Sequence, residues 1–129
     1  MPRKESLYPQ DWLHIAEKDL GRVQHLLDFG DPEAAGFYLQ QAVEKFLKAF
    51  LLLKGWSLKR IHDLEALLND ALTYDPSLEE FRSLCQKVTG FYLVERYPLS
   101  VEPGISEDDV RQSLSQTEQL VKRLQPQIV

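Results

Sequence analysis

Apolar and polar positions along the chain divide it into stretches of helical periodicity separated by short breaks. After Tyr8-Pro9, apolar residues recur at Trp12, Ile15, Ala16, Leu20, Val23, Leu26 and Leu27. Their spacing of three and four is that of one helix face and predicts a first helix from about Pro9 to Phe29. Gly30-Asp31-Pro32 reads as stop and start together: Gly suits a helix C-terminus, Asp31 an N-cap, and Pro32 the first turn of the next helix. A second helix is predicted from Pro32 to Lys54, with Gly55 past its end. Its later half, through Phe46, Leu47, Ala49, Phe50, Leu51, Leu52 and Leu53, leaves almost no polar face, as expected of a central helix surrounded by others.

Gly55 to Ile61 reads as a loop, and His62 to Tyr74 as a shorter third helix carried by Leu64, Leu67, Leu68, Ala71 and Leu72. Asp63 and Glu65 fall in its first turn, where they complement the helix dipole. Asp75-Pro76 repeats the cap pattern and opens a fourth helix with Leu78, Phe81, Leu84, Cys85, Val88 and Phe91 on its stripe. Pro98 ends it. Leu99 to Ile105 reads as a loop, after which Ser106 caps a fifth helix. Its residues Val110, Leu114, Thr117, Val121, Leu124 and Ile128 form a seam for a neighbouring helix or a second subunit. No segment alternates apolar and polar residues as a strand would. The fold class expected is all-α, an up-and-down bundle of about five helices.

A length of 129 residues fits one domain, residues 1–129 with a core from about 8 to 125. Apolar residues at 43% and charged residues at 27% are ordinary for a globular protein. The longest apolar run, Ala49 to Leu53, is too short to cross a bilayer, and no apolar secretory region follows Met1-Pro2-Arg3-Lys4-Glu5. The expected address is the cytoplasm, with no membrane partner. The one cysteine, Cys85, excludes an internal disulfide framework and reads as a buried thiol.

The net charge of -5, from 15 basic against 20 acidic residues, argues against a broad surface for duplex DNA. The charge is uneven, however. Residues 31–60 carry Lys45, Lys48, Lys54, Lys59 and Arg60 against Asp31, Glu33 and Glu44, whereas residues 61–75 have acidic groups and no Lys or Arg. An anion site should therefore be local and centred on those five cations.

Phosphate-loop, paired-histidine and nucleophile-elbow motifs are all missing, so no metal, no cofactor and no catalytic residue is assigned. His14 and His25 lie about three turns apart on the first helix and read as structural or solvated. Three features remain. Gln40-Gln41-Ala42-Val43-Glu44-Lys45-Phe46-Leu47-Lys48-Ala49 is a polar ladder on a buried helix, serving either a Glu44–Lys48 helical ion pair or a polar cleft. Lys59-Arg60-Ile61-His62-Asp63-Leu64 brings cations to a helix start, where free N–H groups could hold a phosphate unless Asp63 or His62 simply caps the helix. In Tyr92-Leu93-Val94-Glu95-Arg96-Tyr97-Pro98, Tyr92 and Arg96 share a face. They could stack a base and clamp a phosphate, or could be a packed ring beside an arginine that neutralises the helix end.

Taken in order, these features resemble the HEPN domain, a nucleotide-binding helical domain of prokaryotes and higher eukaryotes. The resemblance rests on Trp12 to Leu27, Gln40 to Ala49, His62-Asp63-Leu64 and Tyr92 to Pro98. It implies a helical bundle that dimerises, with a cleft near the dimer interface, and a minimal nucleotidyltransferase as partner in a toxin–antitoxin pair. It also implies, for some members, a metal-independent ribonuclease with an Arg and a His between one and two helical turns apart near the end of the fourth helix. Here Arg22 and His25, and Arg60 and His62, stand closer than that, and no histidine follows Arg96. The preferred expectation is thus a homodimeric module that binds a nucleotide or RNA phosphate through Arg96, Tyr92, Tyr97, Lys45, Lys48 and His62. The alternatives are a ribonuclease with an atypical site and a purely structural interaction subunit.

Overall fold

The computed structural model describes residues 6–96 and 105–128, with the backbone alone for residues 93–96. The described residues form five α-helices and one 3-10 turn: α1 (Pro9–Phe29), α2 (Pro32–Leu53), α3 (Leu64–Leu72), a 3-10 turn (Pro76–Phe81), α4 (Arg82–Arg96) and α5 (Glu107–Ile128). No strand occurs among them.

The break between α1 and α2 forms as its residues predict. Gly30 takes the left-handed conformation at φ 86° and its N–H reaches back to the last turn of α1, while the Asp31 carboxylate accepts from Ala34 N–H. With so short a connection the two helices must fold back on one another. α2 is the central element, packed against α1, α3, α4 and α5. It buries Leu39, Val43, Phe46, Leu47 and Phe50 completely. One position allows unusually close approach: a Cβ on Gly36 would stand 3.0 Å from Ile105 Cδ1 and 3.2 Å from Phe91 Cβ.

The seam of α5 closes on its own chain. Val110, Leu114, Thr117, Leu124 and Ile128 are buried against the bundle, whereas Val121 is half-buried and Leu120, outside the predicted seam, is buried in its stead. The helix starts at Glu107, with the Ser106 hydroxyl accepting from Asp109 N–H as an N-cap should. Cys85 is buried, and that desolvation pushes its thiol up to about 12, so it stays protonated and inert at neutral pH.

Three boundaries differ from the periodicity. α2 ends at Leu53, and Lys54 serves as its cap residue. The fourth helix opens as a 3-10 turn, because Asp75 accepts from Ser77 N–H and tightens the chain before α4 begins at Arg82. The third helix runs from Leu64 to Leu72 rather than from His62 to Tyr74, since the Asp63 carboxylate accepts from Glu65 N–H and makes Asp63 the N-cap. His62 consequently sits in the loop before α3. The predicted end at Pro98, together with Tyr97 and residues 99–104, lies outside the described residues.

Candidate functional site

The loop between α2 and α3 is held at both ends. Gly55 adopts φ 92°, and Trp56 N–H bonds to Leu51 O at 3.0 Å, turning the chain off α2. The Trp56 indole N–H then donates to Asp70 Oδ2 on α3 at 2.9 Å. Further on, Gln40, fully buried on α2, donates its amide to the His62 carbonyl at 3.2 Å and to Glu44 Oε1 at 3.1 Å.

Glu44 is the centre of this arrangement. It is only 3% exposed, and both carboxylate oxygens are engaged: Oε2 accepts from Lys48 Nζ at 3.0 Å, and Oε1 lies 3.1 Å from His62 Nδ1. A carboxylate can only accept, so Nδ1 carries the hydrogen and Nε2 is left as the imidazole's other nitrogen. The His62 ring lies nearly parallel to Tyr92, with centroids 6.0 Å apart, and Tyr92 stacks in turn on Phe37 at 5.8 Å. An exposed loop imidazole is thus fixed at its backbone, at one ring nitrogen and on one face. Lys48, 2% exposed, also has its ammonium 5.3 Å from the centre of the Trp12 ring.

One turn away, Asp19 of α1 is equally buried and accepts from both Lys45 Nζ, at 2.6 Å, and Arg22. Every buried charge here therefore has an opposite partner, as burial demands.

These groups face a cleft of about 500 Å³ between the start of α1, the polar edge of α2 and the loop before α3. Its lining includes Trp12 and Ile15 from α1, Lys45 and Lys48 from α2, and Arg60 and His62 from the loop. Ser6, Asp11, Gln41 and Glu44 complete it. The volume is that of a small-molecule site, and an apolar wall facing a few fixed polar groups is the usual composition of one.

Of the candidates drawn from the sequence, Lys45, Lys48 and His62 come together in this cleft, and Tyr92 joins through its stack on His62. The Arg96 side chain and Tyr97 lie outside the described residues. The polar ladder of α2 serves both purposes weighed for it, since Glu44 and Lys48 pair and both line the cleft. The basic cluster divides: Lys59 pairs with Asp70 at 3.6 Å, and Lys54 sits over the Phe50 ring at 5.5 Å, both away from the cleft. At the start of α3 the capping alternative is formed: the Asp63 carboxylate takes Glu65 N–H, and Thr89 Oγ1 takes Leu64 N–H at 3.4 Å. Trp12, on the apolar stripe of the first helix, is half-buried, with its indole N–H donating to Ser6 O at 2.7 Å. His14 and His25 are exposed, and no group of metal-ligating side chains occurs among the described residues.

The HEPN domain family model matches residues 9–127, from the start of α1 to the last turn of α5. The chain belongs to the HEPN domain family. Its fold is similar to the crystal structure of an archaeal HEPN homologue, at 26% sequence identity and a TM-score of 0.75, over 95% of this chain and 98% of that one. No curated protein matches the chain in sequence. The cleft is therefore carried on a HEPN fold, with α2 of the HEPN bundle supplying its buried charges. No helix among the described residues is long and apolar enough to cross a membrane.

Proposed function

We propose that this HEPN domain is a binding module for a nucleotide or an RNA phosphate, acting as a homodimer in the cytoplasm and partnering a minimal nucleotidyltransferase in a toxin–antitoxin pair. The observation that supports the reading best is the cleft itself, where fixed His62 and exposed Arg60 stand near the half-buried ring of Trp12. Such a pairing of cationic donors with an aromatic wall suits a phosphate attached to a base. Arg96, Tyr92 and Tyr97 at the end of α4 remain proposed contacts, and Lys45 and Lys48 contribute to the local field.

Fluorescence anisotropy with a labelled single-stranded RNA and competition by unlabelled nucleotides tests the reading. Saturable binding that weakens in His62→Ala and in Arg96→Ala is expected. Binding to neither class of ligand, or affinity unchanged in both variants, refutes it. Pull-down of a nucleotidyltransferase encoded beside the chain tests the partner.

The way His62 is held also favours a second reading, a ribonuclease working without metal. An imidazole whose Nδ1–H is fixed by a buried carboxylate is oriented to exchange a proton at Nε2. This reading requires RNA cleavage that persists in chelator and is lost in His62→Ala.

A further inference from the structure

α1 and α5 run antiparallel, with Gln10 beside Ile128 at one end of the pair and Asp28 beside Arg111 at the other. The Gln125 amide donates to Glu17 Oε2 at 2.6 Å, and Arg111 lies 4.0 Å from Asp28. Between those two ties no hydrogen bond or ion pair joins the helices among the described residues, and a groove of about 320 Å³ opens there. It shares no residue with the cleft beside His62. Its walls are Glu17, Leu20 and Gly21 of α1 and Glu118, Val121 and Gln125 of α5, residues that fall on one face of each helix. Phe46 of α2, fully buried, lies beneath.

The middle of the groove is apolar and incomplete. Leu20 and Val121 are half-buried, although Val121 belongs to the seam that elsewhere packs against the bundle. Beside them Gly21 has no side chain, and a Cβ built there meets nothing within 4 Å. An apolar side chain from outside can enter this gap and cover both neighbours. The rim, by contrast, is anionic. Glu17 and Glu118 are exposed carboxylates, and Glu118 has no hydrogen bond or ion pair with the described residues. Lys18 and Lys122 stand outside the lining and pair with neither. Glu118 lies two turns along α5 from Gln125, which holds Glu17, so the two carboxylates flank the apolar middle about 10 Å apart along the groove. Like charge turns away phosphate, nucleic acid and anionic lipid, and favours a cationic visitor.

We propose that this groove docks a basic amphipathic helix of a protein partner, one that inserts apolar side chains at Gly21 and sets two Arg or Lys, two turns apart, against Glu17 and Glu118. Positions i, i+3, i+4 and i+7 of such a helix match the groove in length, which is the helix-in-groove mode of recognition. The carboxylates fix its register, because two cations spaced in that way meet both only when the apolar pair between them stands over Gly21. The proposal is independent of what the cleft beside His62 binds.

Titration of isotope-labelled protein, followed through its amide NMR spectrum, tests it with an alanine-based helical peptide carrying two leucines between two arginines set two turns apart. The amide signals of Gly21, Glu118 and Val121 should shift saturably, with a dissociation constant on the order of 100 μM, while those of Lys45 and His62 stay in place. Gly21→Leu fills the gap and should weaken the peptide at least about tenfold. Glu118→Lys should weaken it about fivefold to tenfold, and a peptide with glutamates in place of the arginines should not bind. Both substitutions are at exposed positions, and the same spectra report that the variants fold. Shifts confined to the cleft, full affinity in Gly21→Leu, equal binding of the glutamate peptide, or no shift at about 1 mM peptide overturns the proposal. So does a dimer, seen by light scattering without peptide, that Gly21→Leu dissociates, since the occupant is then a second copy of the chain.

Discussion

α2 buries two kinds of face. Toward the core of the bundle it presents Leu39, Val43, Phe46 and Phe50, all fully buried and all apolar. Toward the cleft and the loop before α3 it presents Gln40, Glu44 and Lys48, spaced one turn apart and buried almost as deeply, with Glu44 and Lys48 on the cleft lining and Gln40 on the His62 carbonyl. The apolar face needs no further explanation, since burying such side chains drives folding at roughly 25 cal/mol per Å². The polar face does, because a buried ion pair commonly does no better for stability than apolar residues of the same volume. What it does instead is fix Arg60's neighbour His62, through Glu44 on the ring and Gln40 on the backbone. The contrast between the faces separates residues that make the bundle from residues that make the site.

The largest effects should come from truncations on each face. Phe46→Ala removes a fully buried ring and should cost about 3 to 5 kcal/mol in urea denaturation. Glu44→Ala should cost a similar amount, about 3 to 5 kcal/mol, by leaving Lys48 buried without its partner. The two then part company on repair. Replacing the pair together, as Glu44→Leu with Lys48→Met, should recover more than half of the Glu44→Ala loss while ligand affinity stays low, because His62 is no longer oriented. A double variant as unstable as Glu44→Ala would show the polar face to be structural and would remove the contrast.

The bundle was legible wherever the deciding contact is local. Gly30-Asp31-Pro32 contains its own stop, cap and start, so the bounds of α1 come out of the periodicity unchanged. The start of α3 was misread because His62 fits a helical pattern as well as Leu64 does, and only the Asp63 carboxylate on Glu65 N–H decides between them. The 3-10 turn at Pro76–Phe81 was hidden for the same reason, since Leu78 and Phe81 keep a helical spacing. At the site, residue types singled out Lys45, Lys48 and His62, which the fold brings to one cleft. Their pairing was harder to see: Asp19 meets Lys45 from 26 positions away, and nothing in either local stretch announces it. Trp12 was concealed by its place on an apolar stripe, where core and cleft wall carry the same pattern.

A smaller effect, of opposite sign, marks the ground belonging to neither face. Gly21 lies in the middle of α1 on its exposed side, and a Cβ built there meets nothing within 4 Å. Glycine inside a helix costs roughly 0.5 to 1 kcal/mol relative to alanine, mainly through the freedom it gives the unfolded chain. Gly21→Ala should therefore stabilise the protein by about that 0.5 to 1 kcal/mol, seen as a higher urea midpoint at unchanged slope. Ligand affinity should not move, since Gly21 does not line the cleft. A gain in stability with unchanged binding would show α1 to be a rigid support that can be strengthened independently of the site. A fall in affinity would instead mean that α1 must yield for Trp12 to receive its ligand, and the division drawn along α2 would then have to extend to α1.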